Sequence, residues 1–441
     1  MKISRLLSKI FKRRIACVIM ITGCIPLMIA LFYTYEQQTL SVGDLAFIRH
    51  NGVLVWKRQG QVTSNSSLSD KDGVLVHQSS DFPTQAYRRK QQIPAWQQFT
   101  EDVKTKETVY NPGSNYLPKL LQELATTEIK NISIMMQGTQ LKFWIHFVDG
   151  NQALAKPMRD PKDLYIVYKT KGDFIRERER HTAEIAAFHL DRIFDFRRVA
   201  PCTGRALNFT ADIIMKTNDP AILDTQRIKD GNHCFIGDCT WKFLCNESAL
   251  TCAKDGILEV SVCQAIPQAI MRSYKYPWVN VQLTREDHVL KVCQEINKRH
   301  VFYGHNFFLD FMETVAFDHL MVNQDRHNHK IIKNKRTDEV GLGLLDNGKG
   351  FGNPFIDDPG FLLPFKICCR FRNSTYWKFK EFTKPGHMLG DLMRASLAQD
   401  PINPVLTEDF FPALNRRLSQ VLSEIDRCIE KFGRKTVLLD S

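Results

Sequence analysis

The chain has 441 residues, 43% of them hydrophobic and 24% charged, with 60 Lys and Arg against 48 Asp and Glu. These proportions exclude a largely disordered chain, a collagen-like repeat and a polytopic membrane protein; the length allows two or three domains, or one bilobal domain with appendages. Lys2, Arg5, Lys9, Lys12, Arg13 and Arg14 carry half of the net charge of +12, with no acid before Glu36. The remainder is mildly basic, which suits an anionic small molecule or polysaccharide and calls for no nucleic acid.

Ile15 to Tyr33 is a run of nineteen residues without a charge. At about 1.5 Å per residue it approaches the roughly 30 Å hydrocarbon core. The basic cluster before it predicts a cytoplasmic tail at 1–14, a signal anchor at 15–33 and a lumenal remainder. A cleaved signal peptide is the competing reading, since Pro26 interrupts the run. The run is longer than a typical h-region of roughly 7–15 residues, and LFYTYEQ offers no small-residue cleavage site. Residues 34–95 are polar, include TSNSSLSD, and read as a stem.

From about Pro94 the pattern becomes globular. ISIMMQGTQLKFWIHFV and NQALAKPM read as strands joined at the Asp149-Gly150 hairpin signal. ERHTAEIAAFHLDRIF places Ile185, Phe188, His189, Ile193 and Phe194 near helical spacing, and FFLDFMETVAFDHLMV reads as a long amphipathic helix leading into NQDRHNHK. Phe307, Phe308 and Phe311 read as core. The C-terminal part, from about 385, is helical. A strand-rich lobe (about 96–262) and a helical lobe (about 263–441) give an α+β, bilobal domain at 96–441.

Ten cysteines follow the anchor, an even number suited to an oxidising lumen. Cys234, Cys239, Cys245 and Cys252 resemble a stapled loop; their spacing contains no C-x2-C zinc knuckle. Asn65, Asn131, Asn208, Asn246 and Asn373 begin N-x-S/T sequons. His305, His319, His327 and His329 show no H-E-x-x-H spacing, so His319 reads as packed and His327 as a loop residue.

Phosphoryl transfer needs a cation on the nucleotide phosphates, a helix acid orienting it, a base near the acceptor hydroxyl and acidic metal ligands. The order here fits. A Gly-containing strand turn precedes Lys156 on a strand, Glu184 on a helix and Asp325 after a helix. Leu344 to Gly348 then form an apolar strand ending in D-N-G. That is the kinase D-x-G pattern with Asn in place of Phe. Asp325-Arg326-His327 is a rearranged H-R-D.

GTQLK (138–142), KPMR (156–159), ERHTAEIAAFHLDRI (179–193), DRHNH (325–329), LDNGKGFG (345–352) and ICCRFRNST (367–375) resemble the secretory-pathway Golgi kinases, "family with sequence similarity 20". The resemblance covers roughly 95–435. It implies an atypical protein-kinase-like fold and an ATP-dependent phosphotransferase using Mn²⁺, with Mg²⁺ as the alternative, in the Golgi membrane as a single-pass type II protein. Gln140, Lys156, Glu184, Asp346 and the adenine-pocket segment Cys263, Gln264, Ala265 and Ile266 are implied to hold nucleotide. Glu179, which is Gln in the family's pseudokinase, and Asp346 are implied metal ligands, and Asp325 the catalytic base. The family has Glu five residues after that Asp; this chain has Lys330, a cation that contacts phosphate directly or weakens metal binding. The resemblance further implies disulfides Cys234–Cys252, Cys239–Cys245, Cys293–Cys368 and Cys369–Cys428. Cys202 and Cys263 match none of the family's cysteines, and either pair together or stay free.

FGNP (351–354), QDPINPVL (399–406) and Trp377 resemble the xylosylkinase branch, while NGKG (347–350) and CCRFRNSTY sit nearer the protein-kinase branch. The expectation is a glycan kinase acting on the 2-hydroxyl of xylose in the proteoglycan linkage tetrasaccharide or a Gal-Xyl acceptor. A Ser-x-Glu protein kinase, or a pseudokinase activating a related kinase as a dimer partner, are the alternatives.

Overall fold

The computed structural model describes residues 45–50, 53–58, 93–105, 108–111, 113–135, 140–165, 179–237, 250–267, 271–275, 286–298, 306–323, 325–333 and 340–440. The expected anchor, Asn65, Asn246, His305 and the Cys239–Cys245 pair lie outside them. Among the described residues no helix is long and apolar enough to cross a membrane. The chain divides into Met1–Ala86 and Tyr87–Ser441. The first unit contains an antiparallel hairpin, β1 (Leu45–His50) with β2 (Val53–Arg58), within the segment expected to be a stem.

The second unit opens with α1 (Ala95–Thr105) and α2 (Leu117–Thr126), followed by β3 (Ile129–Ile134), β4 (Phe143–Phe147) and β5 (Gln152–Pro157). Strand β4 alternates as a half-buried strand must: Phe143, Ile145 and Phe147 face the core, with Trp144 and His146 between them. The first of the two expected strand runs is thus itself two strands. The Asp149-Gly150 turn joins β4 to β5 as expected, with Gly150 at φ +88°. After α3 (His181–Phe194) come β6 (Cys202–Asn208), β7 (Arg227–Lys229), β8 (Asn232–Phe235), β9 (Thr251–Cys252) and β10 (Ile257–Gln264). The main sheet is antiparallel in the order β3-β4-β5-β10-β6, and α3 lies against β10 and β6.

A second sheet joins β11 (Met271–Lys275), β12 (Asn328–Lys333) and β13 (Val340–Gly343). The other described elements of the second lobe are mostly helices, α4 (Glu286–Lys298), α5 (Phe307–Met321), α6 (Leu363–Cys368), α7 (Asn373–Glu381), α8 (Leu389–Leu397) and α9 (Phe410–Phe432), with a short parallel strand pair, Phe371–Arg372 beside Leu438–Leu439. The α+β, bilobal expectation agrees with this architecture.

Helix α5 departs from the amphipathic reading, because every residue but Asp310 is buried. Its acids are neutralised from elsewhere. Arg198 and Arg372 bind both Asp310 and Glu313, and Arg326 binds Asp318. A helix apolar or paired on all sides belongs in a core.

The two lobes are tied by polar and backbone contacts. Leu344 N donates to Arg198 O at 2.8 Å. The Asp400 carboxylate accepts from Gly204 N at 3.0 Å and Thr203 Oγ1 at 3.1 Å. A Cβ on Gly204 would lie 2.2 Å from Ile402 Cγ1, so only glycine admits this approach.

Among the described residues four disulfides are present: Cys234–Cys252, Cys293–Cys368 and Cys369–Cys428 as the resemblance implied, and Cys202–Cys263. The last joins residues directly opposite each other on β6 and β10. Of the sequons, Asn131 lies in β3, exposed Asn208 accepts from Ala211 N at a helix start, and Asn373 donates to Asp440.

Candidate active site

Three carboxylates from two segments converge on Lys156. It lies on β5, paired with Ser261 of β10, and its alternation with buried Ala155 and Pro157 aims it off the core face. Its ammonium lies 2.6 Å from Glu184 Oε1, 3.1 Å from Glu179 Oε2 and 2.5 Å from Asp346 Oδ1. Burial works against the charge of Lys156. Glu179, Glu184 and Asp346 outweigh it and hold the ammonium well above its ordinary range. Glu184 sits in the first turn of α3, where a carboxylate also meets the positive helix end. It accepts from Asn347 N at 2.9 Å and Asn347 Nδ2 at 3.3 Å.

Glu179 precedes the helix, and burial pushes its carboxyl up while Lys156 pulls it down. Asp346 has φ +63° and a side chain 56% exposed. Lys156 first, and Lys142 at 3.4 Å second, hold its carboxyl well below the usual carboxylate range. Lys142 was not singled out from sequence. The turn runs close against this cluster at Gly348, where a Cβ would lie 2.9 Å from Glu179 Oε2 and 3.1 Å from Lys156 Nζ.

Asp325 follows the αL cap of α5 at Val322. Its Oδ1 faces His327 Nε2 and its Oδ2 faces Lys349 Nζ, each at 2.5 Å. The adjoining Arg326 is buried and fixes the loop. It binds Asp318, donates to Leu345 O at 2.8 Å and to Asn347 Oδ1 at 2.6 Å. Asn347, where protein kinases have Phe, is therefore a polar bridge between Glu184 and Arg326.

The remaining expected residues are placed as follows. Gln140 is buried just before β4. Cys263 and Gln264 end β10, and Gln264 exchanges two hydrogen bonds with Asn151 at 3.0 and 2.9 Å. Ala265 N donates to Gln152 O, and Ile266 is buried. Lys330 lies on β12 and donates to Ser273 Oγ of β11 at 2.6 Å. As expected, His319 is packed, against Gln420. Lys349 is the other residue that sequence reasoning passed over.

Glu179 and Asp346 fit a hard divalent cation: both present carboxylate oxygen, and both already surround one cation. Among the described residues no three His, Cys, Asp or Glu side chains form a cluster able to hold a metal. Such a site needs phosphate oxygens to complete it, as nucleotide-bound Mg²⁺ and Mn²⁺ sites do.

A family model described as "Golgi casein kinase, C-terminal, Fam20" matches residues 94–437. The chain is 34% identical over 357 residues to the human extracellular serine/threonine protein kinase FAM20C, covering 79% of this chain and 60% of that protein. It is 33% identical over 350 residues to the glycosaminoglycan xylosylkinase of Danio rerio, covering 78% of this chain and 83% of that protein. Among solved structures, the Golgi casein kinase with Mn/ADP bound superposes with a TM-score of 0.70 at 29% identity, covering 78% of this chain and 83% of that one. The hydra Fam20 structure with sugar gives 0.71 at 29% identity, covering 79% and 99%. Lys156, Glu184, Asp325 and Asp346 stand in kinase order on a kinase-like scaffold, and the chain belongs to the Fam20 family of secretory-pathway kinases.

Proposed function

We propose that this protein transfers the γ-phosphate of ATP to the 2-hydroxyl of xylose in a Gal-Xyl-type glycan acceptor, in the Golgi lumen and anchored by residues 15–33. The observation that carries a catalytic reading is the Lys156 array, with three carboxylates around one ammonium and Asp325 beyond. Glu184 and burial fix Lys156, which positions the α- and β-phosphates. Glu179 and Asp346 would hold Mn²⁺, which when bound neutralises charge on the nucleotide phosphates. Asp325 accepts the hydrogen bond of the acceptor hydroxyl and takes its proton as the oxygen bonds to the γ-phosphorus, while the bond to the β,γ-bridging oxygen breaks and ADP leaves. Lys330 is engaged with Ser273 Oγ, so its ammonium need not oppose the metal carboxylates.

Glycan as acceptor is supported by the xylosylkinase-like FGNP and QDPINPVL segments and by the xylosylkinase relative. FGNP continues the chain from the D-N-G turn, and QDPINPVL packs against β6. Arg417, fully buried, donates to the carbonyls of Asn353 and Ile356, and Asp400 ties QDPINPVL to β6. A serine kinase is the second reading, favoured by the 34% identity to the human protein kinase. The test is phosphate transfer under Mn²⁺ to a Gal-Xyl glycoside and to casein, by wild type and by Asp325→Ala. Product on the glycoside alone supports the proposal, casein alone the second reading, and labelling of neither a pseudokinase. Asp325→Ala should lower kcat about 10²–10⁴-fold with nucleotide affinity retained.

A further inference from the structure

Both oxygens of the Asp325 carboxylate are occupied by nitrogen, yet the two partners differ in how firmly they are held. His327 stands two residues along the same loop, with a side chain 65% exposed. Lys349 reaches in from the turn after D-N-G, with a side chain only 17% exposed. That turn is anchored at every residue around the lysine. Arg180 N donates to Gly348 O at 2.7 Å, Gly350 N to Asn347 O at 2.9 Å, and Phe351 N to Met321 O at 2.7 Å. Gly348 is pressed against Glu179 and Lys156, and a Cβ on Gly350 would lie 3.2 Å from Met321 Cβ. The backbone of Lys349 is therefore fixed by the same contacts that fix the metal carboxylates. From that fixed backbone, with its side chain mostly buried, Lys349 places its ammonium against Asp325 Oδ2.

Resting on the phosphoryl-transfer reading above, we propose that Lys349 is the positioning residue for the base: it clamps Oδ2, leaving Oδ1 as the oxygen that receives the acceptor hydroxyl. The exposed His327 nitrogen marks the place of that hydroxyl, and acceptor binding displaces it. Clamping one oxygen from a rigid turn removes the carboxylate's freedom to rotate about χ2. It also couples the direction of the base to the D-N-G segment that carries Asp346. The base and the metal carboxylate are then aligned by a single structural unit.

The test uses the full-length protein with Lys349→Met, Lys349→Arg, Asp325→Asn and the Lys349→Met/Asp325→Asn double variant. The readouts are kcat and KM for ATP and acceptor, the affinity for a fluorescent ADP analogue with Mn²⁺, and Tm. Misplacement of a reacting group by about 1 Å costs on the order of 10²-fold. Lys349→Met should therefore lose about 10²-fold in kcat, with Tm and ADP-analogue affinity unchanged. Lys349→Arg should recover most of that loss, since a guanidinium still reaches Oδ2. The double variant should be no slower than Asp325→Asn alone, because a clamp without its base does nothing. An active wild type with Lys349→Met at wild-type kcat overturns the role. So does a loss of ADP-analogue affinity matching the loss in kcat, which would make Lys349 a phosphate ligand, and so does a double variant whose losses multiply. A wild type inert toward both acceptors overturns the enzymatic reading itself, and this role with it.

Discussion

Asn347 is the residue whose loss the structure prices most clearly. It is fully buried in the D-N-G turn. Its side chain accepts from Arg326 Nη2 at 2.6 Å and donates to Glu184 Oε2 at 3.3 Å and Leu344 O at 3.2 Å. Asn347→Leu keeps the volume and removes all three bonds. Two of them involve charged groups, each contributing about 1.5–3 kcal/mol, and the third is neutral at about 0.5–1.5, so the loss is about 3.5–7.5 kcal/mol. Arg326 keeps Asp318 and Leu345 O, and Glu184 keeps Lys156 and Asn347 N, which places the value toward the lower end. Thermal unfolding of the purified protein followed by intrinsic fluorescence should show Tm falling by roughly 7–10 °C, at about 2 °C per kcal/mol for a domain this large. Asn347→Asp separates the two ends of the bridge. It still accepts from Arg326 but sets a carboxylate against Glu184, so it should lose turnover more than stability. If Asn347→Leu unfolds within about 1 °C of wild type, the buried bridge contributes nothing and the reasoning is refuted.

Glu179→Gln should raise the Mn²⁺ concentration for half-maximal nucleotide binding about tenfold or more, read by a fluorescent ADP analogue; an unchanged Mn²⁺ curve removes Glu179 from the ligand set. Burial lowers His319 to about 4, helped by Arg417 and opposed by the Gln420 hydrogen bond. Its folded value is thus depressed below the unfolded 6.5, so its contribution is present above pH 6.5 and is lost as pH falls toward 4, at about 1.4 kcal/mol per unit. His319→Gln, which can keep a donor to Gln420, should flatten the fall of Tm over that window. Protease protection in sealed microsomes should leave residues beyond 33 intact, whereas a cytosolic, digestible kinase domain sinks the type II anchor.

Much of the site was legible because its members lie in short, ordered segments with strong local patterns. The β4–β5 turn, helix 181–194, Lys156, Glu184, Asp325 and Asp346 each stand where the pattern puts them. Lys142 and Lys349 were missed because their partners are distant in sequence. Asp346 lies 204 residues from Lys142, and nothing local to Lys349 names Asp325. Helix α5 was misread as amphipathic for the same reason, since its acids are neutralised by arginines from three other segments. Cys202 and Cys263 could not be paired from spacing, because only the β6–β10 register sets them opposite one another.

The contact of Gly204 with Asp400 and Ile402 has a consequence for how the lobes can move. It joins the outer strand of one lobe to the segment before α9 of the other, while Leu344 N and Arg198 O join them again beside the D-N-G turn. Two separate attachment points define a single line, so relative motion of the lobes about these contacts is confined to rotation around it. Any bulk added at position 204 acts as a wedge at one end of that line, pushing Ile402 and Asp400 away from the strand.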